Sequence, residues 1–368
     1  MAAGATRRLG GLAAAAVVLL APAAAGARPP AGTRLTVAAT GDFLVHTPVF
    51  QRARAYGHGR RYDFRPMFRR IRPLIRRADL ALCHVETPLT HGRPRSYPSF
   101  RTPAALARAI KATGWDACST ASNHTLDAGA RGVRSTLRAL ERAGLKHAGS
   151  HRSRAGARRT AMLRAKGVKV AFLAYTALTN GQRISHPWTL DMAHRRRILR
   201  DARRARRRGA DAVIVNLHWA SEMAPEYVTE PSPEQEEMVK ALSKAPEITA
   251  LVGQGPHVVQ PIREVAGKTV VFSEGNLTSN QGADMGLAPA SQDGYIAQLD
   301  LTVDGDGGRV TGASYVPTWT DHVDYRVLPV GPALEAGDAD PASLEASYER
   351  TVDVVGDDPA EPVPARLP

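Results

Sequence analysis

The chain is poor in aromatic residues, 5% of 368, and holds only two cysteines, Cys83 and Cys118. Two cysteines cannot build the disulfide framework of a small secreted scaffold, so the fold must rest on a hydrophobic core. With 43% apolar and 23% charged residues, that core is available in ordinary globular proportion. For the cysteine pair itself, one bridge and two buried free thiols are both open. Beyond residue 27 no segment is apolar and long enough to span a bilayer, which excludes a polytopic membrane protein. No internal repeat occurs, which excludes a solenoid.

Acidic residues are in the minority, 35 against 49 Lys and Arg, for a formal net charge of +14. Such a surface is drawn to anionic wall polymers or lipid headgroups. Arg195-Arg196-Arg197 and the run from Arg203 to Arg208 resemble a basic patch, but no nucleic-acid motif accompanies them. Nucleic acid is therefore not expected as a partner, and the arginines read as the solvated face of a helix.

Residues 1–27 carry the marks of a signal peptide: Arg7 and Arg8, an apolar run over 9–21, and Ala25-Gly26-Ala27 as a small-residue cleavage signal. An uncleaved anchor is the alternative, although the run is shorter than the roughly 20 residues a spanning helix needs. Thr6-Arg7-Arg8-Leu9 hints at twin-arginine export, and no Cys follows to take a lipid. The chain is expected to be exported, extracellular or bound to the cell envelope. Losing Arg7 and Arg8 would leave the mature chain at +12.

Short apolar runs at 35–39, 80–83, 117–120, 168–175, 212–217, 248–252 and 269–272 read as buried strands. Amphipathic stretches at 67–77, 104–112, 132–143, 192–207 and 234–243 lie between them, the last opened by a Ser232-Pro233-Gln235 capping box. This alternation predicts an α/β fold with mainly parallel pairing. Residues 295–303 and 310–319 flank Asp304-Gly305-Asp306-Gly307-Gly308 and read as a hairpin closing a second sheet or an edge. The parse is a leader over 1–27, one domain over 28–330 and an acidic, Pro-rich tail over 331–368. That tail is expected to hold one helix at 341–355 and a disordered end from 357.

Nearly every strand ends in a residue able to bind metal or move a proton. The first delivers Gly41-Asp42, the second His84 and Glu86, the third Asn123-His124 and Asp127. Later ones deliver His218 and Glu222, His257, then Glu274 and Asn276. In an open parallel sheet the carboxyl ends of the strands share one edge, where ligands bind, so distant residues would converge. Carboxylate, amide oxygen and neutral imidazole suit a divalent first-row ion such as Mn, Fe or Zn. Two ions about 4 Å apart would clamp the attacking and leaving oxygens of a phosphate ester. His124, oriented by Asp127, is the candidate general acid; an Asn-capped helix with a polar first turn is the structural reading of the same segment.

Read in order, Thr40-Gly41-Asp42, Ala78-Asp79-Leu80, Val85-Glu86-Thr87-Pro88-Leu89, Ser122-Asn123-His124-Thr125-Leu126-Asp127 and Leu217-His218-Trp219 are similar to the CapA family of poly-γ-glutamate capsule proteins. Pro256-His257-Val258-Val259-Gln260-Pro261 and Gly275-Asn276-Leu277 continue the likeness over residues 35–319. The resemblance implies the calcineurin-like metallophosphatase superfamily and a four-layer α/β/β/α sandwich. It also implies one or two divalent ions held by Asp42, Glu86, Asn123, His218 and His257, with His124 and Asp127 catalytic. His46, His84, Glu222, Glu274 and Asn276 would bind substrate or support the ligands. Implied partners are an anionic envelope polymer such as poly-γ-glutamate and membrane-associated capsule synthesis proteins. Three positions depart from the family pattern: His84 for Asn, Gly255 for His, and Glu274 for Leu. Gly255 has no side chain to coordinate with, which removes a ligand expected for a second ion. Two functions follow, a metal-dependent envelope hydrolase and a non-catalytic protein that holds an anionic polymer on its basic surface.

Overall fold

Period-two alternation in the opening strand, Thr33–Phe43, decides how the layers stack. Leu35, Val37 and Ala39 point into one apolar cluster, whereas Ala38 and Phe43 point into another on the opposite face. A second strand, Val168–Thr176, repeats the device: Val168, Val170, Phe172 and Ala174 join the first cluster, and Ala171, Leu173 and Tyr175 face a third. In this computed structural model two sheets therefore share a central core, and each carries helices on its outer face. The four-layer α/β/β/α arrangement expected above is the one observed. The structure describes residues 1, 2, 4, 30–219 and 223–363, so the leader expected over 1–27 lies almost wholly outside the described residues.

The first sheet runs Val327–Pro329, Gly307–Thr320, Asp293–Asp304, Thr33–Phe43, Leu80–His84, Ala117–Ser119, Lys146–Ala148, with Asn276–Thr278 added beside Thr33–Phe43. The second runs Val259–Val265, Lys268–Glu274, Ala250–Gln254, Ala212–His218, Val168–Thr176, Ala161–Ala165. Five adjoining strands of the first sheet, with Asn276–Thr278 among them, and four of the second pair in parallel, and antiparallel neighbours extend both. Helices Thr47–Tyr56, Ala105–Thr113 and Gly129–Ala143 cover the first sheet, and Arg195–Arg207 and Pro233–Ser243 cover the second. In Arg195–Arg207 only Ile198, Asp201, Ala202 and Ala205 are buried, which leaves most of its arginines to solvent. The capping box at Ser232 forms with both of its hydrogen bonds.

The structure departs from the sequence pattern in three places. The helix expected over 67–77 is broken into a 3₁₀ turn, Arg65–Phe68, and a short helix, Arg72–Arg77; Pro73 has no amide hydrogen to carry a continuous helix through that point. Of the two alternatives for the hairpin, it closes no second sheet but builds one flank of the first, its outer strand pairing beyond only with Val327–Pro329 and Glu361–Pro362. Asp293–Asp304 pairs with Thr33–Phe43 from Thr33↔Val303 to Thr40↔Ile296, inside the first sheet, because Leu299, Leu301 and Val303 supply a face that the central core can bury. At the carboxyl end, order persists past 357, since Glu361–Pro362 pairs with Ser314 and Tyr315 and the Tyr315 hydroxyl donates to Gly356 O at 2.7 Å. Cys83 and Cys118 sit opposite each other on neighbouring strands and are bridged, which settles the open alternative.

Glycines let backbone approach backbone just beneath the functional end of the sheets. A Cβ on Gly41 would stand 2.0 Å from Gly275 O, and one on Gly253 would stand 2.1 Å from Phe272 O. Gly41→Ala is expected to lower stability by about 1–3 kcal/mol, the usual cost of overpacking, measured as a lower denaturant midpoint; an unchanged midpoint would show that the strands can part freely there.

Candidate metal centre

Register brings the candidate residues together. Asp42 faces His84 on one neighbouring strand and Asn276 on the other. The pairing slips on both sides of Asp42, a bulge of the kind that re-aims a side chain at a strand end. His218 ends Ala212–His218 in the facing sheet. His257 lies in the turn after Ala250–Gln254, with a φ of 59° that most side-chain-bearing residues avoid. Asp42, His84, Glu86, His218 and His257 are all buried; they come from four strand ends or turns, His84 and Glu86 sharing the end of Leu80–His84.

Two groups of side chains have ligand atoms within 4.8 Å of one another: Asp42 with His84 and His218, and Asp42 with Glu86 and His257. Asp42 belongs to both. His257 Nδ1 lies 3.2 Å from Asp42 Oδ2, and its Nε2 lies 3.7 Å from Glu86 Oε1. His84 Nε2 is 3.7 Å from Asp42 Oδ1, and the His84 and His218 rings stack with centroids 4.8 Å apart. Asn123 Oδ1 sits 3.0 Å from His218 Nε2. Both carboxylate oxygens of Asp42 and of Glu86, both ring nitrogens of His84 and Nδ1 of His218 are buried without a hydrogen-bond partner. Unpaired buried charge is costly, and so many orphaned donors and acceptors at one point fit a site built for a cation.

The electrostatics follow from burial. Desolvation lowers His84 to about 4 and takes His218 well below its usual range, so both are neutral imidazoles with a free lone pair. Burial pushes Glu86 well up. Burial would also lower His257, but the Glu86 and Asp42 carboxylates outweigh it and raise that imidazole to about 10.

Next to this cluster stands His124. Its Nδ1 is 2.8 Å from Asp127 Oδ2, which also accepts from Phe100 N at 2.7 Å, while Gln182 Nε2 donates to Asp127 Oδ1 at 2.7 Å. A carboxylate only accepts, so His124 Nδ1 carries the hydrogen and Nε2 is the free nitrogen. The helix after this segment begins at Gly129 with no side-chain cap, so Asn123 is not a helix cap. Ser122 fixes the turn instead, donating to Glu86 O at 2.5 Å and accepting from His124 N at 3.0 Å.

The other sequence candidates divide. His84, read as a support, falls inside one metal-capable group. Asn276 holds His257, its Oδ1 3.1 Å from Nδ1 and its Nδ2 donating to His257 O. His46 accepts from Asn280 N at 3.2 Å and meets Phe100 edge-on, as His124 does. Glu274 is fully buried rather than at the rim and accepts from Gln254; it belongs to neither group. Glu222 lies outside the described residues. Gln182 and Phe100 escaped the sequence reading, one polar and one apolar residue in loops with no local signal.

Two facing sheets with a buried carboxylate and imidazole cluster at their strand ends define an α/β sandwich built around a candidate metal centre. The chain belongs to the family of the bacterial capsule synthesis protein PGA_cap, whose model matches residues 36–281. It is 27% identical over 260 residues to the capsule biosynthesis protein CapA of Bacillus anthracis, covering 68% of this chain and 61% of that protein. It is 24% identical over 249 residues to the PGA biosynthesis protein CapA of Bacillus subtilis, covering 66% and 62%. The likeness thus spans about three fifths of those relatives' length. Among solved structures, the calcineurin-like phosphoesterase YfkN from Bacillus subtilis superposes with a TM-score of 0.48 at 12% identity, over 88% of this chain and 97% of that one.

Before it can offer a lone pair to a cation, His257 must lose the proton that the Glu86 and Asp42 carboxylates favour. Ion uptake should therefore release about one proton or more near neutral pH, and affinity should climb as pH rises toward the His257 value. Potentiometric titration with Mn, Fe or Zn checks this; a pH-independent affinity with no proton release would exclude His257 from coordination.

Proposed function

We propose that this chain is a metal-dependent hydrolase of the bacterial cell envelope, acting on a phosphoester or a poly-γ-glutamate-like anionic polymer during capsule synthesis or processing. The observation that carries the reading is the pair of buried carboxylates, Asp42 and Glu86, that face imidazoles and accept no hydrogen bond. Asp42, His84 and His218 would hold one divalent first-row ion, with Asn123 beside His218; Asp42, Glu86 and His257 would hold a second. When bound, such an ion supplies Lewis acidity toward a phosphoryl or carbonyl oxygen.

The protein's own part is to hold and move protons. Asp127 keeps the Nδ1 hydrogen of His124 engaged, so that Nε2, once protonated to make the imidazolium, can give that proton to the leaving oxygen and return to a lone pair. Gln182 and Phe100 N satisfy the remaining Asp127 contacts and so hold the imidazole still. The proposed location is outside the membrane, reached through the leader at 1–27. The proposed partners are an anionic polymer such as poly-γ-glutamate and membrane-associated capsule synthesis proteins; the relatives' names, capsule biosynthesis and PGA biosynthesis, support a place in capsule synthesis.

Gly255 motivates a second reading, a non-catalytic protein that holds the polymer on its basic surface. Its φ of 115° is one that L side chains rarely adopt, so the turn is built for glycine and a histidine restored there would be strained.

Elemental analysis and hydrolysis of an aryl phosphate decide between the two. The catalytic reading expects near-stoichiometric divalent metal, lost in Asp42→Ala. His124→Ala should keep the metal but slow hydrolysis by about 10²–10⁴-fold. A metal-free chain whose salt-sensitive polymer binding survives His124→Ala and His218→Ala would overturn it in favour of the second.

A further inference from the structure

Among the described residues, the large apolar side chains that stand in solvent are Tyr97 at 77%, Val323 at 75%, Met285 at 49% and Val228 at 42%, apart from the chain's first methionine. Single exposed apolar residues are ordinary on any protein when they are scattered. These four are not scattered. Tyr97 lies between Ser96, whose Oγ accepts from Thr47 N next to His46, and Phe100, whose ring meets His46 and His124 at 5.3 and 4.7 Å. Met285 Sδ accepts from Asn280, and Asn280 N donates to His46. Val323 is two residues from Tyr325, whose hydroxyl bonds Asn280. Val228 follows Tyr227, whose ring stands 6.3 Å from that of His257 and whose hydroxyl accepts from Gln281. Each of the four loops is thus tied through a short chain of contacts to His46, His124 or His257, on one side of the candidate metal centre.

Charge accompanies the tips. The loop that bears Tyr97 reads His91-Gly92-Arg93-Pro94-Arg95-Ser96-Tyr97-Pro98-Ser99-Phe100-Arg101, with three arginines and no acid, in a chain of net charge +14. Arg52 donates to Val323 O at 2.5 Å. Three acids on these loops are paired, Asp284 with His322 at 3.1 Å, Asp324 with Arg52 at 3.2 Å and Glu230 with Arg263 at 3.1 Å, which leaves Glu226 as the exposed acid beside Tyr227. A protein partner favours a well-packed apolar patch, and a soluble polyanion would use the arginines but not the tips. Isolated apolar tips among guanidiniums match a surface that is anionic outside and apolar just beneath.

We propose that the mouth of the site is a docking surface for an anionic lipid bilayer. Tyr97, Val228, Met285 and Val323 enter the headgroup layer, Arg93 and Arg95 contact its phosphates, and the opening of the site then faces whatever the bilayer carries. The inference requires no catalysis and stands whether or not the cluster hydrolyses anything.

The test is co-sedimentation of the full chain with phosphatidylglycerol and phosphatidylcholine vesicles, against vesicles of phosphatidylcholine alone. Binding is expected on the first only. The triple variant Tyr97→Ser, Met285→Ser, Val323→Ser should partition about tenfold less, and Arg93→Ala with Arg95→Ala should lose about fivefold per residue. Both variants should keep the parent's melting temperature and metal content, which separates this result from a folding defect and from failure of the catalytic reading. Arg196→Ala with Arg207→Ala, on the basic helix over the second sheet, should bind as the parent does. Undiminished binding of the triple variant, or a loss that follows Arg196 and Arg207 instead, would overturn the proposal. So would a parent dimer that becomes monomeric in the triple variant, since a second copy would then be what covers the mouth.

Discussion

Two carboxylates, Asp42 and Glu86, lie buried with no hydrogen bond to either oxygen of either group, and much of the local architecture exists to make that arrangement tolerable. Ionised and alone, each would be strongly disfavoured in so dry a place. The protein answers with imidazoles. His257 is held cationic between the two carboxylates, while His84 and His218 are kept neutral by the same burial. A site that stores one proton on His257 and leaves its other nitrogens bare is poised to exchange that proton for a metal charge.

The fold's contribution is placement. Two sheets packed face to face bring strand ends from both to one edge, so a carboxylate from the first can meet an imidazole from the second. Gly41 and Gly253 allow the strands beneath to close more tightly than any side chain would permit. Around this centre a second tier holds the working groups still: Asp127, Gln182 and Phe100 set the tautomer of His124, and Asn276 holds His257. The bridge between Cys83 and Cys118 ties together the two strands that lead to His84 and to the Asn123-His124 turn.

Much of this was legible in the residues. Strands at 35–39, 80–83 and 212–217 announce themselves as short apolar runs, and Asp42, Glu86 and His218 follow them directly. His84 was harder to read, because its membership of a metal-capable group depends on lying beside Asp42 across the sheet and stacking on a ring from the other sheet. Glu274 was read as a residue that binds substrate or supports the ligands, yet it is completely buried and belongs to neither metal-capable group. Gln182 had no signal, since a loop glutamine gains its role only from the carboxylate it happens to meet.

What the sequence by itself determined is the set of local choices: period-two strands, amphipathic helices, glycines where backbones must touch, polar residues at strand ends, and membership of the PGA_cap family. Those depend on neighbours along the chain and on backbone sterics, which a linear pattern records. Tertiary structure alone decided that the late hairpin joins the first sheet beside Thr33–Phe43, that Asp42 is shared between two groups of ligand atoms, and that four exposed apolar residues from separate loops lie on one side of the candidate centre. Each of these is a meeting of residues tens to hundreds of positions apart, and such meetings are set by sheet register and by the packing of one layer on another, which no local stretch of sequence encodes.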